Sequence, residues 1–176
     1  MQLIVGCSPD EFRSYYQKTI SGSDYRQTVG ESDGRIEMYY VTQDPSHLIL
    51  WKEGNQIIGH AIWHESNTDE HRVGVPRDEE DKEILRQLLG GRRDFVELHE
   101  LWLWREHRGK GYGKKFFQFF ENFISEKGYG AIVHHAFDDA VAAICRQRGY
   151  IEKQGATLDV GGTTHASWVF YLNLKK

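Results

Sequence analysis

The chain has 176 residues, enough to bury one sizeable core, and we expect a single domain over residues 1–176. With 39% hydrophobic and 27% charged residues and a net charge of −4, the composition is globular and lacks the basic excess of a nucleic-acid binder, so no nucleic-acid partner is expected. No apolar run approaches the roughly 20 residues of a membrane span and no signal peptide is evident, which predicts a cytoplasmic protein without a membrane partner.

The amino-terminal third predicts one strand and two helices. A β-type run covers residues 2–6, and Ser8 as N-cap followed by Pro9 as first helical residue predicts a helix that starts at Pro9. Residues 21–34 are rich in Gly, Ser and Asp and predict a loop. A short helix is expected near Ile36–Val41.

The rest of the chain alternates strands and helices. In chain order we expect a β-hairpin of Leu48–Glu53 and Gln56–His64 around Gly54-Asn55, an amphipathic helix over Asp78–Leu89 ended by Gly90-Gly91, a strand over Phe95–Trp104, a helix over Gly113–Lys127, a strand over Ala131–Ala136, a helix capped by Asp138 that runs to about Arg148, and strands near Tyr150–Asp159 and His165–Leu174 around a Gly161-Gly162 turn. This order predicts an α/β fold with a mixed sheet and at least one parallel crossover.

The stretch Arg108-Gly-Lys-Gly-Tyr-Gly113 lies between a predicted strand and a predicted helix. Backbone N–H groups at a helix start lack partners within the helix, and glycines let an anion approach them closely. Arg108, Lys110, Lys114 and Lys115 add positive charge. The spacing fits neither a P-loop nor a dinucleotide fingerprint. The sequence therefore predicts a phosphate site, and a solvated glycine-rich turn is the alternative.

The stretch from Leu101 to Phe117 resembles the signature of the GNAT N-acetyltransferase superfamily, which is Arg or Gln, two residues, Gly, one residue, Gly or Ala. Arg108, Gly111 and Gly113 match it, and Ala143–Tyr150 resembles the family's second segment. The resemblance implies a mostly antiparallel twisted sheet with flanking helices and a central parallel strand–helix–strand unit. It also implies acetyl transfer from acetyl-coenzyme A to an amine by direct attack, whereas a catalytically weak coenzyme A-binding sensor or regulatory module is the alternative.

The resemblance also assigns the co-substrate site. The residues that it places against coenzyme A are Leu101, Trp102, Leu103, Arg108, Gly109, Lys110, Gly111, Tyr112, Gly113, Lys114 and Asp138. The Leu103 N–H is expected to meet the thioester carbonyl, because a donor aimed at the developing oxyanion stabilises the tetrahedral intermediate.

Acetyl transfer needs a base for the amine and an acid for the leaving thiolate. By position on its strand, Glu97 is the first candidate base, and His99, Glu100 or a water chain are the reserves. The structural alternative is that Glu97 is a salt-bridged or solvent-facing strand carboxylate. Cys145 stands where the family usually has its acidic tyrosine. It is either the acid or a small buried hydrophobe, and Tyr150 or an ordered water is the other candidate acid.

The sequence does not predict a metal site. Cys7 and Cys145 have neither a CxxC spacing nor a partner cluster. His60 and His64 share a strand face but lie about two pleats apart, and His134 and His135 point to opposite faces of their strand.

The acceptor itself is not specified by any motif. The segments expected to shape its pocket, residues 21–47 and 67–93, carry mixed charge. The expected partner is a small-molecule or peptide amine, and a homodimer is plausible by family analogy alone.

Overall fold

The computed structural model describes residues 1–30, 32–160 and 162–175. Its helices are α1 (Pro9–Ile20), α2 (Ser23–Thr28), α3 (Arg35–Gln43), α4 (Glu79–Leu89), α5 (Tyr112–Glu126) and α6 (Asp139–Gln147), with short 3₁₀ turns over Pro45–His47 and Arg105–His107. Its strands are β1 (Gln2–Val5), β2 (Leu48–Glu53), β3 (Gln56–Ser66), β4 (Glu70–Arg72), β5 (Val75–Pro76), β6 (Phe95–Leu103), β7 (Ala131–Ala136), β8 (Ile151–Gln154), β9 (Leu158–Val160), β10 (Thr163–His165) and β11 (Trp168–Asn173). None of the helices in these ranges is long and apolar enough to cross a membrane.

Seven strands form one mixed sheet in the order β1-β2-β3-β6-β7-β11-β8. The parallel pair is β6–β7, with Phe95–Leu98 opposite Ala131–His134. The registers of β1–β2, β2–β3, β7–β11 and β8–β11 are antiparallel. Because α5 connects β6 to β7, the predicted parallel crossover is confirmed, and so is the mixed, mostly antiparallel α/β fold.

Backbone contacts divide the chain into two compact units, and the first comprises Met1–His64, His99–Tyr112 and Asp159–Thr163. Its core packs α1 and α3 against β2 and β3. The buried members are Phe12, Tyr16, Tyr40, Val41, Leu48, Leu50 and Ile62. The last five residues of β6 and the glycine-rich turn as far as Tyr112 belong to this unit.

The second unit comprises Glu65–Leu98, Gly113–Leu158 and Thr164–Lys176. It includes the first four residues of β6. One apolar cluster joins α4 to β6, β7 and β11 through Leu85, Leu89, Phe95, Ala131, Val133, Val169 and Tyr171. Helix α5 buries Phe116, Phe117, Phe120 and Ile124, as its apolar pattern predicts.

The predicted caps Ser8 and Asp138 are present, and Asp78, predicted as the first residue of its helix, is also a cap. The Ser8 hydroxyl accepts a hydrogen bond from the Glu11 amide at 3.2 Å, and Asp78 and Asp138 cap α4 and α6 with their carboxylates. Gly90 ends α4 with a φ of +57°, a conformation that favours glycine. These local signals set the helix boundaries because each one satisfies a terminal backbone group.

The structure differs from the sequence prediction in three regions, and one of them is residues 70–76, where the short strands β4 and β5 were not predicted. Helix α2 lies inside residues 21–34, which were predicted as a loop, although Glu31 itself is outside the described residues. Its one buried side chain, Tyr25, is fixed by tertiary contacts that a six-residue pattern does not reveal. The carboxy-terminal strands are each split in two, giving β8 with β9 and β10 with β11. Gly161, half of the predicted turn between them, falls outside the described residues.

Candidate active site

The glycine-rich turn leads from the 3₁₀ turn Arg105–His107 into α5. Gly109 and Gly111 have φ values of +76° and +77°, in the left-handed region. A Cβ atom on either glycine would meet nothing within 4 Å. Glycine is therefore needed here for its backbone conformation and not for lack of space.

The backbone amides of this turn are available to a ligand. Within the described ranges, the amides of Gly109, Lys110, Gly111 and Tyr112 donate no hydrogen bond, whereas the Arg108 amide donates to the Arg105 carbonyl at 3.1 Å. The first three of these residues are exposed. Unpaired amides at the positive end of a 15-residue helix are the arrangement that binds phosphate groups.

Side chains anchor the turn and leave its amides free. The Tyr112 hydroxyl donates a hydrogen bond to Glu53 at the end of β2. His107 Nδ1 lies 3.3 Å from the other oxygen of the same carboxylate. The turn is therefore fixed to the β2–β3 hairpin through one acidic residue.

Arg108 folds back onto the protein. Its Nε donates to the Leu103 carbonyl at 2.8 Å, its Nη2 lies 3.2 Å from Asp24, and its guanidinium stacks 4.7 Å from the centre of the Trp102 ring. Its guanidinium thus makes local contacts, and its role as a cation of the phosphate site stays a prediction. Arg108, Lys110, Lys114 and Lys115 are all exposed.

The Leu103 amide points away from β3. The next amide, that of Trp104, donates to the Ile58 carbonyl at 2.9 Å, and successive amides of a strand point to opposite sides. The parallel register with β7 ends at Leu98 and His134, five residues before the end of β6. The Leu103 N–H therefore lies beyond the part of β6 that pairs with β7.

The other residues that were predicted to contact coenzyme A have different surroundings in the structure. Leu101 is half-buried on β6, and Trp102 is buried with a ring contact to Tyr25. Gly113 lets α5 pack closely on α6, because a Cβ there would lie 2.9 Å from Ile144 Cδ1. Asp138 uses its carboxylate as the cap of α6, accepting from the amides of residues 140 and 141.

Glu97 is surrounded by donors and cations. Its side chain is 1% exposed, its Oε2 accepts from Arg77 and from the Ser66 hydroxyl at 3.0 Å, and its Oε1 lies 3.1 Å from His71 Nδ1. Burial alone raises the pKa of this carboxyl, but the neighbouring His135 and His71 rings and the charge of Arg77 hold it well below the usual range. Glu97 is therefore a salt-bridged carboxylate, which was the alternative to its role as a base.

His99 is paired in a way that suits a base. Its Nε2 lies 3.3 Å from Glu37 Oε1 on α3, and both side chains are less than 10% exposed. The rings of Tyr40 and His64 lie 5.8 and 5.5 Å away. A buried carboxylate next to one imidazole nitrogen fixes the orientation of the ring.

A buried polar network on β6 was not predicted as a unit. Glu100 accepts hydrogen bonds from Tyr16 at 2.9 Å and from Tyr25 at 2.8 Å, and its other oxygen bonds to His60 Nε2. The Tyr15 hydroxyl lies 3.0 Å from His60 Nδ1. The polar alternation of β3 and β6 was visible in the sequence, but the tyrosine partners come from helices far away in the chain.

The two candidate acids differ in their surroundings. Cys145 is fully buried on α6, and desolvation, with the nearby Glu121 charge, raises the pKa of its thiol to about 12. Tyr150 is 6% exposed, and its hydroxyl has no hydrogen-bond partner in the part of the chain that is described. Burial, followed by the Glu121 charge, raises the pKa of Tyr150 well above its usual value, so the phenol keeps its proton.

His134 and His135 point to opposite faces of β7, as predicted. His134 contacts Phe117 of α5 and places its Nδ1 2.8 Å from the Leu98 carbonyl, and burial lowers its pKa to about 4. His135 faces Asp81 of α4, with Nε2 to Oδ1 at 3.0 Å. His60 and His64, the other two histidines considered together in the sequence, share no partner with His134 or His135 in the contacts given above.

A mixed sheet with one parallel strand–helix–strand unit, and free amides where its helix begins, define an α/β protein with a candidate phosphate site at a helix start. The profile of the Acetyltransferase (GNAT) family matches residues 10–156. The chain belongs to this family of acetyltransferases. A comparison with curated proteins found no match.

Solved structures of similar fold cover almost the whole chain. Spermidine N-acetyltransferase from Vibrio cholerae, in complex with CoA and spermine, is 13% identical with a TM-score of 0.66, over 98% of this chain and 96% of that one. The Salmonella typhimurium protein yncA, with its cofactor acetyl-CoA, is 14% identical with a TM-score of 0.64, over 99% and 94%. Ribosomal-protein-alanine N-acetyltransferase from Brucella melitensis is 13% identical with a TM-score of 0.63, over 98% and 99%. At these identities the likeness shows a common fold.

Proposed function

We propose that the whole chain acts as one acyltransferase domain that moves an acetyl group from acetyl-coenzyme A to an amine by direct attack in a ternary complex. The observation that carries the proposal is the row of exposed amides from Gly109 to Tyr112, which are free of partners among the described residues. They are assigned to the coenzyme A pyrophosphate, with Lys110 and Lys114 as neighbouring cations.

The Leu103 amide is assigned to the thioester carbonyl. It points away from β3 and lies past the end of the parallel register, so the ladder does not need it. A fixed donor of this kind stabilises the oxyanion of the tetrahedral intermediate more than the ground-state carbonyl, which is the requirement for catalysis.

The base is assigned to His99 in place of Glu97. Glu97 already accepts from Arg77 and Ser66 and is held as a weakly basic carboxylate, whereas His99 has the buried carboxylate of Glu37 beside its ring. An imidazole nitrogen that carries a lone pair can accept a proton from the attacking amine.

The acid is assigned to Tyr150 and not to Cys145. The Tyr150 hydroxyl is protonated and has no partner of its own in the described residues, so it can donate to a leaving thiolate. The Cys145 thiol is buried on α6 and is interpreted as a small hydrophobe.

The acceptor is assigned to the class of primary alkyl amines. Structures of the same fold include enzymes named for spermidine and for N-acetylagmatine formation, which makes polyamines and agmatine the first compounds to test. Both cysteines are free in the structure, in keeping with the cytoplasm as the place of the reaction.

The test compares variants of two glycines that flank α5, one before and one after the helix. Gly111→Val and Gly128→Val each place a branched residue at a positive φ, +77° and +90°, with no neighbour within 4 Å, but only Gly111 belongs to the turn. By calorimetry, Gly111→Val is expected to weaken acetyl-coenzyme A binding at least ten-fold, while Gly128→Val leaves it unchanged. Equal affinities would remove the assignment.

Turnover separates an enzyme from a binding module. The wild-type chain is incubated with acetyl-coenzyme A and a panel of amines, and release of free thiol is followed. We expect release with at least one alkyl amine. Tight acetyl-coenzyme A binding without thiol release for any amine would favour the regulatory module. The presence of Cys145, where the family usually has a tyrosine, is the sequence feature that supports this alternative.

A further inference from the structure

Three side chains that lie far apart in the sequence meet in the second unit: His71 on β4, Glu97 on β6 and His135 on β7. One donor atom of each lies within 4.8 Å of the other two. We propose that they form a binding site for one divalent transition-metal ion of the zinc type, separate from the acetyl-transfer chemistry.

The spacing of the donor atoms fits such an ion. His71 Nδ1 and His135 Nδ1 lie 3.1 and 3.3 Å from Glu97 Oε1. Tetrahedral Zn²⁺ with bonds of about 2.0–2.1 Å places neighbouring ligand atoms about 3.3 Å apart. The donors therefore need little movement to close around an ion.

The two oxygens of Glu97 have different partners. Oε2 accepts from Arg77 Nη2 and from the Ser66 hydroxyl, which orients the carboxylate. Oε1 faces the two imidazoles. Arg77 and Ser66 thus hold the carboxylate in place and leave one oxygen for the ion, as outer partners of metal ligands do.

His135 presents an unsatisfied nitrogen to the cluster. Its Nε2 lies 3.0 Å from Asp81 Oδ1, and donation of that proton leaves a lone pair on Nδ1. This Nδ1 is buried and has no hydrogen-bond partner among the described residues, although Glu97 Oε1 is only 3.3 Å away. A histidine that donates one ring N–H to a carboxylate and binds a metal ion through its other nitrogen is a common arrangement at metal sites.

The formal charges of the cluster leave one negative charge uncompensated. Arg77 contributes one positive charge, and Asp81 and Glu97 contribute two negative charges, which leaves the cluster one positive charge short. An ion or a second proton on His135 can supply it. Arg77 Nη1, which lies 3.2 Å from His71 Nδ1, also has Asp81 Oδ2 at 2.7 Å and can keep that bond when an ion binds.

The donor set and the access route select the ion. Two imidazoles and one carboxylate suit zinc, cobalt, nickel or copper, whereas calcium and magnesium prefer oxygen ligands. The His71 side chain is 38% exposed, so an ion can reach the cluster from solvent. Binding would tie the β4–β5 hairpin to β6 and β7 and stabilise this part of the second unit.

The test measures metal binding by the full-length chain after treatment with a chelator. Calorimetry with Zn²⁺ is expected to give one ion per chain, and Co²⁺ is expected to show visible absorption bands of a low-coordinate site. His71→Ala, on the exposed hairpin, is expected to weaken Zn²⁺ binding at least ten-fold and to remove the Co²⁺ bands. His165→Ala, on another short strand of the same unit, serves as the control and is expected to bind like wild type.

Two results would overturn the site. One is no Zn²⁺ binding, together with nitrogen NMR shifts that show His135 protonated on both ring nitrogens, since the proton then supplies the missing charge. The other is equal Zn²⁺ affinity in His71→Ala and wild type. Acetyl-coenzyme A affinity, measured with and without Zn²⁺, is expected to stay the same, so failure here leaves the proposed function intact.

Discussion

At the scale of single residues, neighbours in space decide which polar side chains can do chemistry. Glu97 and His99 lie two positions apart on β6, yet Glu97 is enclosed by Arg77 and two histidines, whereas His99 has Glu37 beside its ring. Strand alternation put both on the list of candidates. Only their partners separate a structural carboxylate from a candidate base.

Replacing the proposed base is expected to lower turnover without weakening co-substrate binding. His99→Gln removes the proton acceptor, and because general base catalysis contributes roughly 100-fold or more, kcat should fall by about that factor. Steady-state kinetics and acetyl-coenzyme A calorimetry measure the two effects. His64→Gln, an adjacent buried imidazole stacked on Tyr40, is the control. If Glu97→Gln folds and loses turnover while His99→Gln keeps it, the base is Glu97.

The two candidate acids are separated by a pair of conservative variants. Tyr150→Phe removes only the hydroxyl, and kcat is expected to fall at least ten-fold while stability changes little, because that hydroxyl has no partner to lose among the described residues. Cys145→Ser places a polar group in a buried site and is expected to lower stability with kcat nearly unchanged. Kinetics and chemical denaturation of both variants provide the comparison, and the reverse pattern would restore Cys145 as the acid.

At the scale of elements, caps and turns make the local sequence decisive. Ser8, Asp78 and Asp138 each satisfy amides at a helix start, and these were the boundaries predicted most accurately. Helix α2 was missed because a six-residue helix has too few positions to show a period. It exists because Tyr25 reaches Glu100 and Trp102, which no local pattern contains.

The cap of α6 provides a measurable element-scale effect. Asp138→Ala is expected to lower the free energy of unfolding by about 1 kcal/mol, because two amides lose their acceptor, and Asp138→Asn should recover most of the loss. Denaturant unfolding measures both, with Asp139→Ala, one residue inside the same helix, as control. Loss of acetyl-coenzyme A affinity in Asp138→Ala, but not in Asp138→Asn, would support the assignment of Asp138 near the co-substrate.

At the scale of the whole molecule, buried polar networks join elements that are far apart in the chain. In the first unit, Glu100 gathers Tyr16 of α1, Tyr25 of α2 and His60 of β3. Such a network specifies how its elements pack only if every member is satisfied, since a buried charge without partners is costly.

This network gives stability a dependence on acid pH. Burial alone raises the pKa of Glu100, but hydrogen bonds from His60 and Tyr25 and the His60 charge lower it overall. A depressed pKa contributes stability that is present above the unfolded value of about 4.5 and is lost as pH falls through the folded value. Glu100→Gln is expected to lose about 3 kcal/mol at pH 7, because it breaks a buried pair.

The gap between wild type and Glu100→Gln should shrink as pH falls from about 4.5 through the folded-state pKa of Glu100, because the unfolded chain takes up a proton before the folded carboxylate does. Denaturant unfolding from pH 3 to pH 7 tests this, and Glu83→Gln, an exposed acid on α4, is the control. A gap that stays constant over this range would show that Glu100 is not held as a charged group.

The sequence by itself determined most of the elements and the glycine-rich turn. The hairpin, the caps and the turn at Gly109 to Gly113 depend on backbone preferences within a few residues, so the order of these elements along the chain and the place of the proposed phosphate site could be predicted from it. The tertiary structure alone decided that Arg108 folds back, that Glu97 is enclosed and that His99 has Glu37 beside it. These outcomes depend on burial and on charges brought together from distant parts of the chain, which no local pattern contains.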